Sequence, residues 1–183
     1  EIGGGFGGKT TVYLEPVAAR LSEKAGRPVK LVMSREEVLR SSGPAPGAKL
    51  RIKIGATSDG ELTAIDGWMA YQIGAYGDFA GMVGAMSVAS YKFPNLKLES
   101  WGVLSNTPKT AAYRAPSAPH AAFAIESVID DIASELGMDP IELRLKNAAV
   151  GGDLTAMGMP HPRIGLVECL EALKASDHYQ SEP

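Results

Sequence analysis

Apolar residues recur at helical spacing in several stretches of the chain and alternate with polar ones in another. Leu14, Val17, Ala18, Leu21 and Ala25 fall on one stripe, which predicts a helix over residues 13–25. Pro16 places its start near Leu14, because proline fits only the first turn, and Gly26 suits the left-handed position that closes a helix. Ile125, Val128, Ile129, Ile132 and Leu136 repeat the spacing and predict a second helix over 120–136, closed by Gly137. Asp139-Pro140-Ile141-Glu142 restarts a helix with an acidic cap and proline at its first position, running to about Asn147. A last amphipathic helix is expected over 164–175. Ser34, with Glu37 three residues on, reads as a capping box that opens a short helix.

The strand signals are shorter. Val29 to Met33 is an apolar run after Pro28 and predicts a buried strand. Leu50, Ile52 and Ile54 alternate with Lys49, Arg51 and Lys53, so a half-buried strand with a wet basic side is expected. Asp59-Gly60 signals a hairpin, with a returning strand over 62–72. A further strand is expected over 96–104, with loops over 41–47, 74–90 and 149–162. Helices interleaved with hairpin strands predict the α+β class: a mixed sheet with helices packed on it.

Composition narrows the function. The 183 residues suit a single domain, large enough to bury roughly 70% of its unfolded surface. Eighteen basic against 21 acidic residues leave a formal charge of −3, without the basic excess of a nucleic-acid-binding module. The single cysteine, Cys169, excludes an internal disulfide, and an iron–sulfur cluster or Cys₄ zinc site made by this chain alone. Its place between Val167 and Leu170 on an amphipathic helix predicts a buried, inert thiol. No apolar run approaches the ~20 residues of a membrane helix, and no signal core is visible, so a cytoplasmic chain is expected. The start at Glu1-Ile2-Gly3, without methionine and inside a glycine run, suggests a fragment of something longer.

That glycine run has two readings. Gly3, Gly8, Lys9 and Thr10 satisfy the phosphate-loop pattern, in which backbone amides and a helix N-terminus receive an anion. A nucleotide-binding module using Gly3–Thr10 is therefore one alternative. A non-catalytic scaffold domain, in which the glycines serve close packing, is another. A phosphate loop, however, needs a preceding strand and a second strand ending in Asp for magnesium; Asp130 and Asp131 lie on the helix instead. Phe6 does not suit a phosphate cradle. A lone aromatic amid glycines suggests a ring held against a flat or bulky ligand, with amides beside it. Other candidates have plainer readings. His120, His161 and His178 show no ligand spacing and are expected to be exposed or capping. Glu126, Asp130 and Asp131 lie off the apolar stripe and read as a solvated face. The methionine-bearing stretch Met82–Met86 is expected to pack in a loop or line a substrate funnel.

Four segments in order carry a family resemblance. GGGFGGK is followed by a helix, GRPVKL and SREE. Tyr91-Lys92-Phe93-Pro94-Asn95 follows, then Asn106-Thr107-Pro108 with Ala112-Tyr113-Arg114-Ala115-Pro116. The last is the helix pair from Ala122-Phe123-Ala124-Ile125-Glu126-Ser127 to Asp139-Pro140-Ile141-Glu142-Leu143-Arg144. Together they resemble the molybdopterin-binding large subunit of the xanthine dehydrogenase and aldehyde oxidase family.

The resemblance implies a single molybdenum-cofactor-binding domain fragment over 1–183, most secure over 1–150, with 151–183 a C-terminal loop and helix. It implies oxidative hydroxylation of an aldehyde or N-heterocycle carbon with water-derived oxygen. Its cofactor would be molybdopterin, with iron–sulfur clusters and FAD on partner subunits or domains. Partners would be the remainder of the large subunit, those electron-transfer subunits and a small-molecule substrate, with no nucleic acid and no membrane span. By the same resemblance Gly5, Phe6, Gly7, Arg114 and Ala115 would bind the cofactor, and Thr10 and Pro116 would border the substrate. No residue here would ligate the metal, and the general-base glutamate is expected outside the fragment, which alone would be inactive. Xanthine enzymes carry glutamate where Thr10 stands, an aromatic where Pro116 stands, and an arginine in the loop corresponding to Ser41–Gly47. Purine substrates are therefore not expected. Ala115 stands where carbon monoxide dehydrogenases have a copper-binding cysteine.

Overall fold

The computed structural model describes residues 4–9, 11–76, 87–111 and 114–181. In order these form α1 (Glu15–Ala25), α2 (Arg35–Ser41), β1 (Ala48–Ala56), β2 (Leu62–Gly74), a 3₁₀ turn (Ser87–Ser90) and β3 (Asn95–Leu104). Then come α3 (Ala118–Leu136), α4 (Pro140–Asn147), α5 (Leu166–Lys174) and α6 (Asp177–Gln180).

The sheet runs β1-β2-β3 and is mixed. β1 and β2 form the antiparallel hairpin, in register Ile54↔Ile65 and Lys49↔Ala70, and β3 lies parallel to β2, Tyr71 opposite Gly102. On β2 the buried residues Ile65, Gly67, Met69, Tyr71 and Ile73 alternate, the period-two pattern of a strand covered on one face. Lys49, Arg51 and Lys53 are exposed as expected, and Arg51 lies over the ring of Trp68 across the ladder. α3 covers the other face. Its buried line is Ala121, Ile125, Ile129 and Ala133, so the axis is turned from the expected stripe and Val128, Ile132 and Leu136 border a half-open groove instead.

Local caps formed as the sequence indicates. The Ser34 amide donates to the Glu37 carboxylate at 2.7 Å, and the Glu37 amide to Ser34 Oγ at 3.2 Å. Asp139 Oδ1 accepts from the amides of Ile141 and Glu142, and Gly26 and Gly137 are left-handed. The hairpin turn is pinned to α4 through buried Asn147: its amide nitrogen donates to the carbonyls of Gly60 and Leu143, and its oxygen accepts from Leu62 N.

Four expectations fail. Val29–Met33 forms no strand, because among the described residues it has no neighbour to pair with, and Val32 is 74% exposed. The apolar stripe of α1 is not covered: the helix has no buried residue, and Val17 and Leu21 are 50% and 42% exposed. Cys169 is exposed, because α5 packs through its other side and buries no residue fully. Glu126 and Asp130 are not a free solvated face. Arg144 reaches Glu126 Oε2 and Asp130 Oδ1, both at 2.8 Å, and Tyr91 donates its hydroxyl to the Glu126 carboxylate at 2.8 Å. Two of the family-like segments, the one at Tyr91 and the helix pair carrying Glu126 and Arg144, thus meet in one polar cluster that joins α3, α4 and the approach to β3.

Candidate functional site

The site is built where two loops converge on the end of the sheet. The loop after β3 is stitched to β2: Ser105 N donates to Gly74 O, Ala75 N to Thr107 O, and Thr110 N to Ile73 O, at 3.1, 3.1 and 3.2 Å. Gly74 allows this approach, since a Cβ there would lie 2.2 Å from the Pro108 carbonyl oxygen. The N-terminal loop joins from the other side. The Tyr13 hydroxyl donates to Ser42 O at 2.6 Å, and at Gly43 a Cβ would meet Ala111 Cβ at 2.3 Å. Both loops therefore sit on fixed supports.

At their meeting point the amide of Arg114 donates to the carbonyl of Phe6. The guanidinium carbon of Arg114 stands 5.9 Å from the centre of the Phe6 ring, within cation–π range. Phe6 (φ 51°), Gly7 (φ 85°), Arg114 (φ 42°), Ala115 (φ 52°) and Ser117 (φ 74°) all have left-handed backbones. Such a cluster of non-glycine outliers costs on the order of 1–3 kcal/mol per residue and marks sites where the surroundings dictate the conformation. Phe6 is 70% exposed, and Arg114 and Ala115 are exposed beside it. Between the supports lies a cavity of about 360 Å³, bordered by Thr11, Tyr13, Gly43, Tyr76, Lys109 and Ala111.

Of the residues singled out in the sequence, Phe6, flanked by Gly5 and Gly7, is brought against Arg114; exposed Ala115 and half-buried Pro116 follow Arg114 in the chain. Thr10 lies outside the described residues, as do Met82–Met86. α1 begins at Glu15 and not directly behind Lys9, so no helix N-terminus backs Lys9 as a phosphate loop would require. Two residues were passed over. Ser117 is fully buried and its Oγ has no hydrogen-bond partner among the described residues; it stands at the start of α3 without capping it. His120 is half-buried and not exposed, its ring edge-on to Tyr71 at 6.2 Å and its buried Nδ1 unpartnered. The signal available for Ser117 was its position in the stiff Ala115-Pro116-Ser117-Ala118-Pro119 segment.

Residues 1–148 match the model of a family described as the molybdopterin cofactor-binding domain. The chain belongs to that family. The resemblance to xanthine dehydrogenases and aldehyde oxidases is borne out by the relatives. The chain is 37% identical over 177 residues to the xanthine dehydrogenase molybdenum-binding subunit of Escherichia coli O157:H7, covering 93% of this chain and 23% of that one. It is 34% identical over 174 residues to the nicotinate dehydrogenase large molybdopterin subunit of Eubacterium barkeri, covering 92% and 41%. The solved aldehyde oxidoreductase from Desulfovibrio gigas superposes with a TM-score of 0.85 at 32% identity, covering 94% and 20%. The chain thus spans about a fifth to two fifths of the length of these relatives. Neither the nucleotide-binding nor the scaffold alternative finds support in the family.

The residues present fit a molybdopterin group. Two buried polar atoms on the segment that follows Arg114, Ser117 Oγ and His120 Nδ1, lack partners among the described residues. Successive left-handed residues at Phe6-Gly7 and Arg114-Ala115 are held in costly backbone conformations beside those atoms, as at ligand clamps.

Proposed function

We propose that the chain is the cofactor-binding part of a molybdenum hydroxylase large subunit, acting on an aldehyde or an N-heterocycle carbon. The observation that carries this reading is the junction of Phe6 and Arg114, formed by two distant loops in a molybdopterin cofactor-binding family. Molybdopterin, when bound, supplies the two-electron redox centre at which water-derived oxygen is transferred.

This chain's residues have simpler tasks. The Gly5–Gly7 backbone and the Arg114-Ala115 turn would hold the cofactor. Arg114, permanently cationic with planar donors, favours electron-rich oxygen beside it. The exposed Phe6 ring would exclude water beside it. Thr10 and Pro116 border the substrate, together with the cavity between Tyr13, Gly43 and Ala111. With no acid at Thr10 and no aromatic at Pro116, a purine is disfavoured. The proton-abstracting glutamate belongs to the subunit beyond this domain, and iron–sulfur and FAD partners take the electrons. Among the described residues no helix is long and apolar enough to cross a membrane, and a cytoplasmic complex is the setting proposed.

The test is to purify the intact subunit and measure molybdenum by mass spectrometry, and pterin as its fluorescent oxidation product. One of each per subunit is expected. A folded subunit produced in a cofactor-competent host but free of pterin would overturn the reading.

A further inference from the structure

Residues 28–33 connect α1 to α2 with no β-bridge and, among the described residues, no backbone hydrogen bond. Their side chains nevertheless alternate as in a strand. Val29 and Met33 are half-buried, and Leu31 and Met33 border a cavity of about 360 Å³ against Tyr13, Leu14 and Ala18. Lys30 and Val32 point outward, with Val32 74% exposed. Leu31, itself exposed, and Met33 thus face the start of α1 across a cavity that leaves its stripe uncovered, and the backbone edges are open. The capping box at Ser34 and the Tyr13–Ser42 bond hold the surrounding segment in place. A row of apolar residues with unpaired amides and carbonyls is a template for strand addition.

We propose that residues 29–33 pair along their backbone with a β-strand from the part of the large subunit outside residues 1–183. The inference rests on the reading, under Proposed function, that this chain belongs to a longer subunit. The relatives support this occupant: most of their length lies beyond the matched region. With Leu31 and Met33 facing α1 and the backbone groups of 28–33 unbonded, what is offered is the backbone edge, which suits a strand and not a packed helix. Pairing would satisfy groups that otherwise need water and would cover Val32.

The experiment is hydrogen–deuterium exchange on the intact subunit, read by mass spectrometry to single residues, with molybdenum and pterin measured on the same sample. Amides within 29–33 should exchange at least about 100-fold slower than in an unstructured chain, as hydrogen-bonded amides do. Val32→Pro, which removes one donor, should release the neighbouring amides; if that variant does not fold, the wild-type pattern decides alone. Exchange at unstructured rates overturns the proposal, as does a subunit that ends at Pro183. Protection lost on dilution assigns the pairing to a second copy and also overturns it. Fast exchange in a cofactor-loaded subunit sinks this inference and spares the functional reading. Slow exchange without pterin does the reverse.

Discussion

The amide of Arg114 donates to the carbonyl oxygen of Phe6, and the Arg114 guanidinium carbon stands 5.9 Å from the centre of the Phe6 ring. Each residue has a left-handed backbone, so the contact locks two strained turns against each other. The loops are distant in sequence. Gly43 lies against both, near Ala111 and the Tyr13 hydroxyl, and Gly74 lies against the second. What either loop offers a ligand therefore depends on the other.

Replacing Arg114 removes the cation and its donors but leaves the backbone bond to Phe6 within reach. A lost charged hydrogen bond is worth about 1.5–3 kcal/mol, so Arg114→Ala in the intact subunit should retain pterin about 10–100-fold more weakly. Arg114→Lys should fall between, keeping charge but not the planar fork. Pterin and molybdenum per subunit after exhaustive dialysis would check this. Wild-type retention in Arg114→Ala would remove the residue from the site.

Ser117 combines φ 74° with a buried hydroxyl that has no partner among the described residues. Glycine adopts that backbone without strain and carries no hydroxyl, although it frees the unfolded chain. Ser117→Gly should therefore raise stability by about 1 kcal/mol in the cofactor-free subunit. The midpoint of chemical denaturation reads it. If the hydroxyl contacts the cofactor, the gain should shrink or reverse in the loaded form.

Asn147 satisfies Gly60 O, Leu143 O and Leu62 N at once and is 3% exposed. Asn147→Ala would orphan groups on the hairpin turn and on β2, at a cost of about 1–3 kcal/mol for each group left dry. A total loss of about 3 kcal/mol is expected in urea unfolding. A loss within the range of ordinary surface substitutions would show that water replaces the side chain.

The Tyr91 hydroxyl is pushed above its usual value, first by burial and then by the negative Glu126 beside it. Its neutral form is favoured by folding, so its contribution is fully present below about pH 10, the ordinary tyrosine value. That contribution is lost as pH rises from there toward the folded value. Tyr71, raised by burial, and Tyr179, raised by its bond to Asp139, also titrate late, so ultraviolet titration should show a late group of tyrosines, and Tyr91→Phe should reduce its amplitude by one tyrosine. Ionisation of every tyrosine together near pH 10 would contradict the Tyr91–Glu126 contact.

Much of the fold was legible because its signals are local. The Ser34–Glu37 box, the Asp139 cap and the left-handed Gly26 and Gly137 depend on residues within one helical turn. The β1-β2 hairpin needed only its alternation and the Asp59-Gly60 turn. The candidate site was legible residue by residue, through likeness to a family, and Phe6 also through its oddity among glycines. The burial of Ser117 and the engagement of Glu126 were not, because each depends on segments far away in sequence.

The amino-acid sequence by itself determined the helices, the hairpin, the class of fold and the family, since periodicity, caps and ordered motifs are properties of neighbouring residues. Tertiary structure alone decided which apolar stripes are covered. Residues 29–33 have the composition of a strand, yet a strand exists only where another backbone accepts its hydrogen bonds. α1 has an apolar stripe, yet burial requires an opposing surface. The meeting of Phe6 with Arg114 is the same kind of fact: a contact between distant loops, set by where β2 ends and how closely glycine lets the chains approach.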